Sequence, residues 1–329
     1  MKCEHMKRKC LAVGIILLFV GTCIIPATAQ DTEKSSLPSS RGNWLYVGGS
    51  GPGNYTRIQD AIDNTSNGDT VFVYDDSSPY YENICIDKEI KVLGEDKNST
   101  IIDGRQLDSI VKITANNSSI EQFTLLNTTH FTDVIWVGSF HDVLVRNNII
   151  QYHYTGGISC DGSFCEFSYN FLQVVGGIGI ESHFTSDLFI HHNSIQGGTL
   201  GIGLGSNNCI IANNVINDTL EGLWFDDGCY ANKIYDNIIM NNRKGVYLQN
   251  SFLNSFYRNS FIANNISACF INQFVPVYNR WVRNYWDDIG VFRIKRIPGI
   301  YFITPEFVIN RSNFDWFPAK EPYNIPGMR

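Results

Sequence analysis

The chain has 329 residues, of which 43% are hydrophobic, 13% aromatic and 17% charged. Lys and Arg number 25 against 32 Asp and Glu, so the formal net charge is −7. This balance argues against nucleic acid as a partner, because nucleic acids bind to concentrated positive charge. The low charged fraction, the abundant Asn and the many β-branched residues indicate strands rather than helices. The length suffices for one large core or two modest ones.

The first 29 residues have the composition of an export signal. Four basic residues precede an apolar run at Leu11–Ile25, and Ala27-Thr28-Ala29 reads as a small-residue cleavage site. We therefore predict a signal peptide over 1–29 and a secreted or cell-surface protein. An uncleaved anchor is the alternative, but the run is short of the ~20 residues of a membrane span. No later segment is apolar enough for a span, and cleavage leaves 21 basic and 31 acidic residues.

The segment after the signal contains a linker, a strand and a helix. Residues 30–43 are polar with Ser and Pro, which predicts a flexible linker. Trp44–Val47 predicts a short strand. Asn54 is a candidate cap for a helix over about 55–65 that would cover one end of a β structure. The apolar residues on one face of this helix are Ile58, Ala61 and Ile62.

Two periodic series follow, after a group of short apolar runs typical of strands. The runs are Thr70–Tyr74, Asn83–Ile86, Ile90–Leu93, Thr100–Ile102 and Ile110–Ile113. The first series is Asn148, Asn170, Asn193, Asn214, Asn237, Asn259 and Asn284. The second is a Gly followed by an apolar residue, at Gly157, Gly177, Gly201, Gly222 and Gly245. A shared period of about 22 residues without helical spacing predicts a β-solenoid.

The predicted fold is all-β: a single-stranded right-handed parallel β-helix of the pectin-lyase type. It spans 44–283 including the N-terminal cap, and an aromatic and Pro-rich C-terminal cap spans 284–329. Stacked Asn amides can bond along the axis, and Asn also tolerates left-handed turn geometry. The expected inward ladders are Ile158/Cys160, Ile178/Ile180, Ile202/Leu204, Leu223/Phe225 and Val246/Leu248.

Several segments resemble NosD-like proteins with carbohydrate-binding and sugar-hydrolase repeats. The similar segments are Asn54–Ile62, Tyr81–Ile84, Lys91–Glu95 and Thr100–Gly104, and the tail segments Asn284–Asp288 and Phe314–Tyr323 resemble archaeal secreted members. The resemblance covers roughly 44–326 and implies the β-helix fold. For activity it implies only a mixed group, which includes polysaccharide enzymes and a copper-site maturation factor.

Outward positions of the aligned repeats form a candidate site. Four residues after each Gly the chain has Asp161, Glu181, Gly205, Asp226 and Gln249, with Asp227 next to Asp226. Two residues after each Gly it has Ser159, Gly179, Gly203, Trp224 and Tyr247. Carboxylates beside aromatic rings suit a polysaccharide or surface glycan. The candidate catalytic acids are Asp161, Glu181, Asp226 and Asp227, and the candidate binding residues are Trp224, Tyr247, Gln249 and His183.

Three functions remain open. The leading one is polysaccharide binding, and the second is a lyase or glycoside hydrolase that uses these acids. On this alignment Asp161 and Glu181 lie one turn apart, about 5 Å, which suits a retaining carboxylate pair. The third is a structural, adhesion or metal-site maturation module. No metal ligands or cofactor are assigned, although calcium or copper stays open, and no zinc-type spacing occurs.

Six Cys follow the predicted signal peptide, an even number that invites disulfides in an exported protein. Cys165 and Cys209 fall in one column two turns apart, too far for a bridge. Cys160 aligns with core residues. At most one or two bridges are expected.

Overall fold

The computed structural model describes residues 42–273, 278–291, 293–304 and 307–326. The predicted signal peptide and residues 30–41 of the predicted linker lie outside these ranges. Within them, none of the helices has the length and apolarity needed to cross a membrane.

The described chain winds into a right-handed parallel β-helix of about ten turns, as predicted, with three walls of stacked strands. Wall 1 contains β3 (Ile84–Ile86), β6 (Val111–Ile113), β9 (Ile135–Val137), β12 (Gly156–Cys160), β15 (Ile178–Ser186), β18 (Leu200–Asn207), β21 (Glu221–Phe225), β24 (Lys244–Gln249), β27 (Ile266–Gln273) and β30 (Lys295–Thr304). Each strand pairs in parallel with the strand one turn later, so a residue faces the equivalent residue of the next turn.

Two further walls complete each turn. Wall 2 contains β1 (Trp44–Val47), β2 (Thr70–Val73), β4 (Lys91–Gly94), β7 (Ser119–Glu121), β10 (Leu144–Arg146), β13 (Glu166–Ser168), β16 (Phe189–His191), β19 (Ile210–Ala212), β22 (Lys233–Tyr235), β25 (Ser255–Tyr257) and β28 (Arg280–Val282). Wall 3 contains β5 (Ile101–Asp103), β8 (Thr124–Leu126), β11 (Ile149–His153), β14 (Phe171–Val174), β17 (Ser194–Gln196), β20 (Val215–Asn217), β23 (Ile238–Met240), β26 (Ser260–Ile262) and β29 (Tyr285–Trp286). The last strand, β31 (Phe307–Asp315), pairs antiparallel with β30.

The core is built from columns of inward side chains. In one column of wall 1 the fully buried residues are Ile158, Ile180, Ile202, Leu223 and Val246. Burying each such side chain contributes about 1.5–3 kcal/mol. Since the side chains of a strand alternate between its faces, the residue that follows each of these, such as Ser159 or Glu181, points outward and forms part of the surface of wall 1.

The predicted Asn series forms a continuous buried ladder at the corner between walls 2 and 3. Asn170 is typical: its amide Nδ2 donates to Asn193 Oδ1 at 3.0 Å and to the Val145 carbonyl at 2.9 Å. Its own backbone N–H also donates to Asn193 Oδ1, at 3.0 Å. The side chain thus satisfies buried backbone groups that a turn cannot pair within itself.

The ladder Asn residues do not adopt the left-handed turn geometry that the sequence predicted for them. The left-handed backbone lies one residue earlier in each turn, as at Tyr169 (φ 58°) and Asp236 (φ 54°), and not at the ladder Asn. Amide bonding, rather than turn geometry, is therefore what each ladder position requires. Shorter ladders occupy the other corners, with Asn232, Asn254 and Asn279 at one and Asn242 and Asn264 at the other.

The tail segment meets the last rung of the long ladder. The fully buried carboxylate of Asp315 accepts the backbone N–H of Asn284 at 2.9 Å and its amide at 3.1 Å. The same oxygen accepts the indole N–H of Trp286 at 3.2 Å. Asp315 therefore takes the acceptor position of the next Asn and closes the ladder.

The single α-helix of the described chain, α1 (Ile58–Asp63), is shorter than the predicted 55–65. Its buried face is the expected one. The predicted cap is wrong: the cap position is Arg57, and Asn54 instead donates to the Gly48 carbonyl at 2.6 Å. The Glu82 carboxylate accepts the first helical N–H groups, from Ile58 at 2.8 Å and from Gln59 at 3.1 Å. The capping roles of α1 and of residues 284–329 stay predictions.

Candidate functional site

The outward face of wall 1 carries the candidate residues, but in a different register from the prediction. The pairing places Ile158 opposite Ile180 and Ile180 opposite Ile202. Gly179, rather than Gly177, therefore belongs to the repeating Gly column. Ile178 faces Gly156 and Leu200, so its predicted place in the inward ladder is wrong.

This shift moves Glu181 into the aromatic column. The column is Lys112, Trp136, Ser159, Glu181, Gly203, Trp224, Tyr247 and Cys269. Asp161 belongs instead to the neighbouring column, with His183, Gly205, Asp226 and Gln249. The predicted pairing of Asp161 with Glu181 as neighbours in one column is therefore wrong, and so is its implied retaining geometry.

Glu181 has a different acidic neighbour, Asp133, which the sequence did not reveal. Gly156 lies between the two acids and has no side chain to separate them. Asp133 Oδ1 and Glu181 Oε1 lie 2.3 and 3.3 Å from where a Cβ on Gly156 would stand, and the Gly156 N–H donates to Asp133 at 2.9 Å. His183 adds its Nε2 atom 3.6 Å from Glu181. We call Asp133, Glu181 and His183 the acid cluster.

Burial and mutual repulsion perturb both acids. Burial raises the pKa of Glu181, and the nearby Asp133 charge raises it further, against smaller opposing effects of His183 and the Ser159 hydroxyl. Burial also raises the pKa of Asp133, against hydrogen bonds from Gly156 and Ser159. Perturbed carboxyl groups that lie close together are typical of sites for acid–base catalysis, although structural clusters perturb pKa values as well.

Aromatic residues flank the acid cluster at equal spacing. Trp136 lies two turns before Glu181 in the same column and Trp224 lies two turns after it, about 9.6 Å away on either side. Gly203 separates Glu181 from Trp224 and leaves a dip. A Cβ on Gly203 would lie in ordinary van der Waals contact with the Leu200, Ile178 and Trp224 side chains, at 3.5 to 3.8 Å, and would meet no close backbone atom.

We call the outward strip of wall 1 from Glu181 to Tyr247 the groove. It continues past Trp224 toward the C-terminal turns. A depression of about 280 Å³ is lined by Leu200, Trp224, Arg243, Tyr247 and Gln249, among others. The Lys244 Nζ lies 3.9 Å from the centre of the Tyr247 ring and pairs with Glu221 at 2.7 Å. A second depression, of about 410 Å³, follows and includes Arg296 and Arg311. The groove is thus acidic at one end and basic at the other.

The remaining candidates lie at the edge of this groove. Asp226 and His183 line a small depression together with Glu181 and Trp224. Asp226 Oδ1 accepts the backbone N–H of Asp227 at 2.8 Å, as a turn residue does. The exposed Asp227 accepts a hydrogen bond from Asn250 at 2.9 Å. Both Asp226 and Asp227 therefore have a structural role besides the predicted one.

The described residues contain no group of three or more His, Cys, Asp or Glu side chains arranged to hold a metal ion. The six thiols after the predicted signal are free. Cys160 is fully buried in the core, as expected, although its column neighbours are Ser182 and Leu204 rather than Ile180.

Comparison with known proteins agrees with the fold. A family model described as a right handed beta helix region matches residues 134–276. No curated protein matches the sequence. The chain is a right-handed parallel β-helix protein. Its likeness to the NosD-like group stays a prediction.

Solved structures with a similar fold come from several sources. The mannuronan C-5 epimerase AlgE4 A-module of Azotobacter vinelandii is 14% identical, with a TM-score of 0.45 over 69% of this chain and 82% of that one. The PL6 family alginate lyase AlyGC is 11% identical, with a TM-score of 0.48 over 70% and 40%. A mutant tailspike protein of E. coli bacteriophage HK620 is 10% identical, with a TM-score of 0.41 over 74% and 57%. These likenesses concern the fold alone.

Proposed function

We propose that this protein is secreted or displayed at the cell surface and binds a polysaccharide along the groove of wall 1. The observation that carries the proposal is the column in which Trp136 and Trp224 stand at equal distances from the acid cluster. Aromatic faces offer apolar platforms for sugar rings, and carboxylates accept hydrogen bonds from sugar hydroxyl groups.

The shape of the groove supports an extended ligand. Glu181, Gly203, Trp224 and Tyr247 occupy successive turns, so the strip runs for about 14 Å at ~4.8 Å per turn. A small depression beside the half-buried Trp224 connects it to the acid cluster. A rigid solenoid presents these groups without any folding on binding, which reduces the entropy lost when a flexible chain binds.

A glycan array tests this proposal, using the chain from residue 30 onward. The parent should bind at least one class of polysaccharide, and the Trp224→Ala/Tyr247→Ala double variant should lose that binding. Trp44→Ala/Tyr46→Ala is the matched control, since it also removes one Trp and one Tyr, from the exposed face of wall 2. Equal loss in both variants, or no binding by a folded parent, would count against the groove.

The second candidate function is a polysaccharide hydrolase or lyase. The raised pKa values of Asp133 and Glu181 favour it, because a carboxyl group that holds its proton to a higher pH than usual is better suited to act as a general acid. Release of reducing or unsaturated ends from the bound glycan would be measured. Glu181→Gln should abolish release while Asp226→Asn retains it, and unchanged release by Glu181→Gln would rule out this chemistry.

A further inference from the structure

A second cavity lies on wall 2, on a different face from the groove. It measures about 590 Å³ and is lined by Lys233, Ser255, Phe256, Tyr257, Arg258, Arg280, Val282 and Arg283. Four of these eight residues are cationic, in a chain whose overall charge is −7. A concentration of positive charge against the sign of the whole protein indicates a site for an anion.

Most of these cations have no acidic partner. Arg258 pairs with Asp236 at 2.7 Å. Among the described residues, the side chains of Lys233, Arg280 and Arg283 make neither an ion pair nor a hydrogen bond. All three are exposed to solvent. Three unpaired cations around one cavity repel one another, and an anionic ligand would relieve this repulsion.

The strand register explains how the cavity forms. Lys233, Ser255 and Arg280 are consecutive in one outward column, so the small Ser255 leaves a gap between two long cationic side chains. Lys233 and Arg280 are two turns apart, about 9.6 Å. A chain that carries anionic groups at intervals can pair with both cations at once.

The neighbouring column supplies an apolar platform. The Tyr235 and Tyr257 rings stack with centroids 4.9 Å apart and planes at 13°. The next residue in this column is Val282, which is too short to continue the stack. The face of Tyr257 toward Val282 therefore has space for a ring from a ligand, between Arg280 and Arg283 at the cavity edge.

We infer that this wall 2 cavity binds an anionic polysaccharide, with a sugar ring on Tyr257 and its carboxylate or sulfate groups against Lys233, Arg280 and Arg283. The Ser255 hydroxyl lies between the cations, where it can bond a sugar hydroxyl. The site is separate from the groove on wall 1, so it gives the protein a second point of attachment to a glycan chain or to a different glycan.

The test is calorimetric titration of the chain from residue 30 onward with four probes: a short polyuronate, a short sulfated oligosaccharide, neutral cello-oligosaccharide and an oligothymidylate. One or both anionic sugars should bind, and more weakly as salt rises. Arg280→Gln should weaken binding about tenfold or more, since it removes a charge-assisted hydrogen bond, and Tyr257→Ala should weaken it as well. All titrations are run in the Trp224→Ala/Tyr247→Ala background, so that binding in the groove of wall 1 does not contribute to the heat.

Arg105→Gln is the matched control, because Arg105 is, like Arg280, an exposed arginine, and it lies on Tyr81 near the N-terminal end of the solenoid, far along the chain from the cavity. An equal loss in Arg105→Gln would show that net charge alone attracts the ligand and would overturn the inference. Equal binding of the neutral sugar, tighter binding of the oligothymidylate, or no binding of either anionic sugar would overturn it too.

Discussion

Replacing one residue in the middle of the Asn ladder should destabilise the whole β-helix. Asn214 is fully buried, and its Oδ1 accepts the backbone N–H of Asn193 at 3.0 Å. Its Nδ2 donates to Asn237 Oδ1 at 3.0 Å and to the Ile190 carbonyl at 2.9 Å. Asn214→Ala leaves the N–H of Asn193 without an acceptor, which costs about 1–3 kcal/mol, and removes the bonds to Asn237 and Ile190 at about 1 kcal/mol each. Two longer bonds of the same side chain, from Asn193 Nδ2 and to the Ala212 carbonyl, both at 3.1 Å, are lost with them. The expected loss is roughly 3–5 kcal/mol.

Urea unfolding followed by circular dichroism measures this loss. Asn98→Ala is the matched control, because Asn98 is exposed and its side chain bonds only to Asp96, two residues away. It should change the free energy of unfolding by about 0.5 kcal/mol or less. A loss below about 1 kcal/mol for Asn214→Ala, or a loss equal to that of the control, would refute the view that the ladder satisfies buried backbone groups.

Two pairs of variants test the site and its register. The raised pKa of Glu181 means that the folded state holds this proton more tightly than the unfolded state does. The contribution of Glu181 to stability is therefore greatest below the ordinary pKa of 4.5 and is lost as pH rises through the raised value. Glu181→Gln should therefore raise the melting temperature at pH 7 and make no difference well below pH 4.5. Glu221→Gln is the control: it breaks the ion pair with Lys244 and should not raise the melting temperature. An unchanged melting temperature of Glu181→Gln at pH 7 would contradict the claim that burial destabilises the charged carboxylate. Gly201→Ala should destabilise the fold, because a Cβ there would stand 2.5 Å from the Gly222 carbonyl. Gly203→Ala should be tolerated, because the nearest atom to a Cβ there is a side-chain atom at 3.5 Å. Similar decreases in melting temperature for both variants would contradict the register.

The β-helix could be predicted because its turns repeat a requirement that only a few residues meet. Seven successive turns have an amide at the corner between walls 2 and 3, and the spacing from Asn148 to Asn284 is visible directly in the sequence. The left-handed positions that precede the ladder Asn cannot be recognised in the sequence, because residues as different as Tyr169 and Arg258 occupy them. Side-chain bonding at the corner is therefore conspicuous in the sequence, and the backbone strain beside it is not.

The register of the site was ambiguous in the sequence. Residues 176–180 read Gly-Gly-Ile-Gly-Ile, so Gly177-Ile178 and Gly179-Ile180 fit the repeat equally well. Only strand pairing decides between them, and a shift of two residues moves Glu181 from one outward column to the next. The sequence therefore placed the candidate residues on one wall, as the structure does, but assigned Glu181 to the wrong column.

Asp133 could not be found from the periodic series, which becomes regular only after residue 140. Its proximity to Glu181 depends on the missing side chain of Gly156, one turn away from each acid. The cations of the wall 2 cavity are likewise far apart in sequence. Both groups are brought together by the stacking of turns, and neither lies wholly within the outward positions that the sequence repeats aligned.

A crystal structure with the oligosaccharide selected on the glycan array tests the central claim most directly. We expect electron density for the sugar chain along wall 1, with one ring against Trp224 and hydroxyl groups within hydrogen-bond distance of Glu181. Density on another face of the solenoid, with the groove of wall 1 empty, would contradict the claim that this groove binds the polysaccharide.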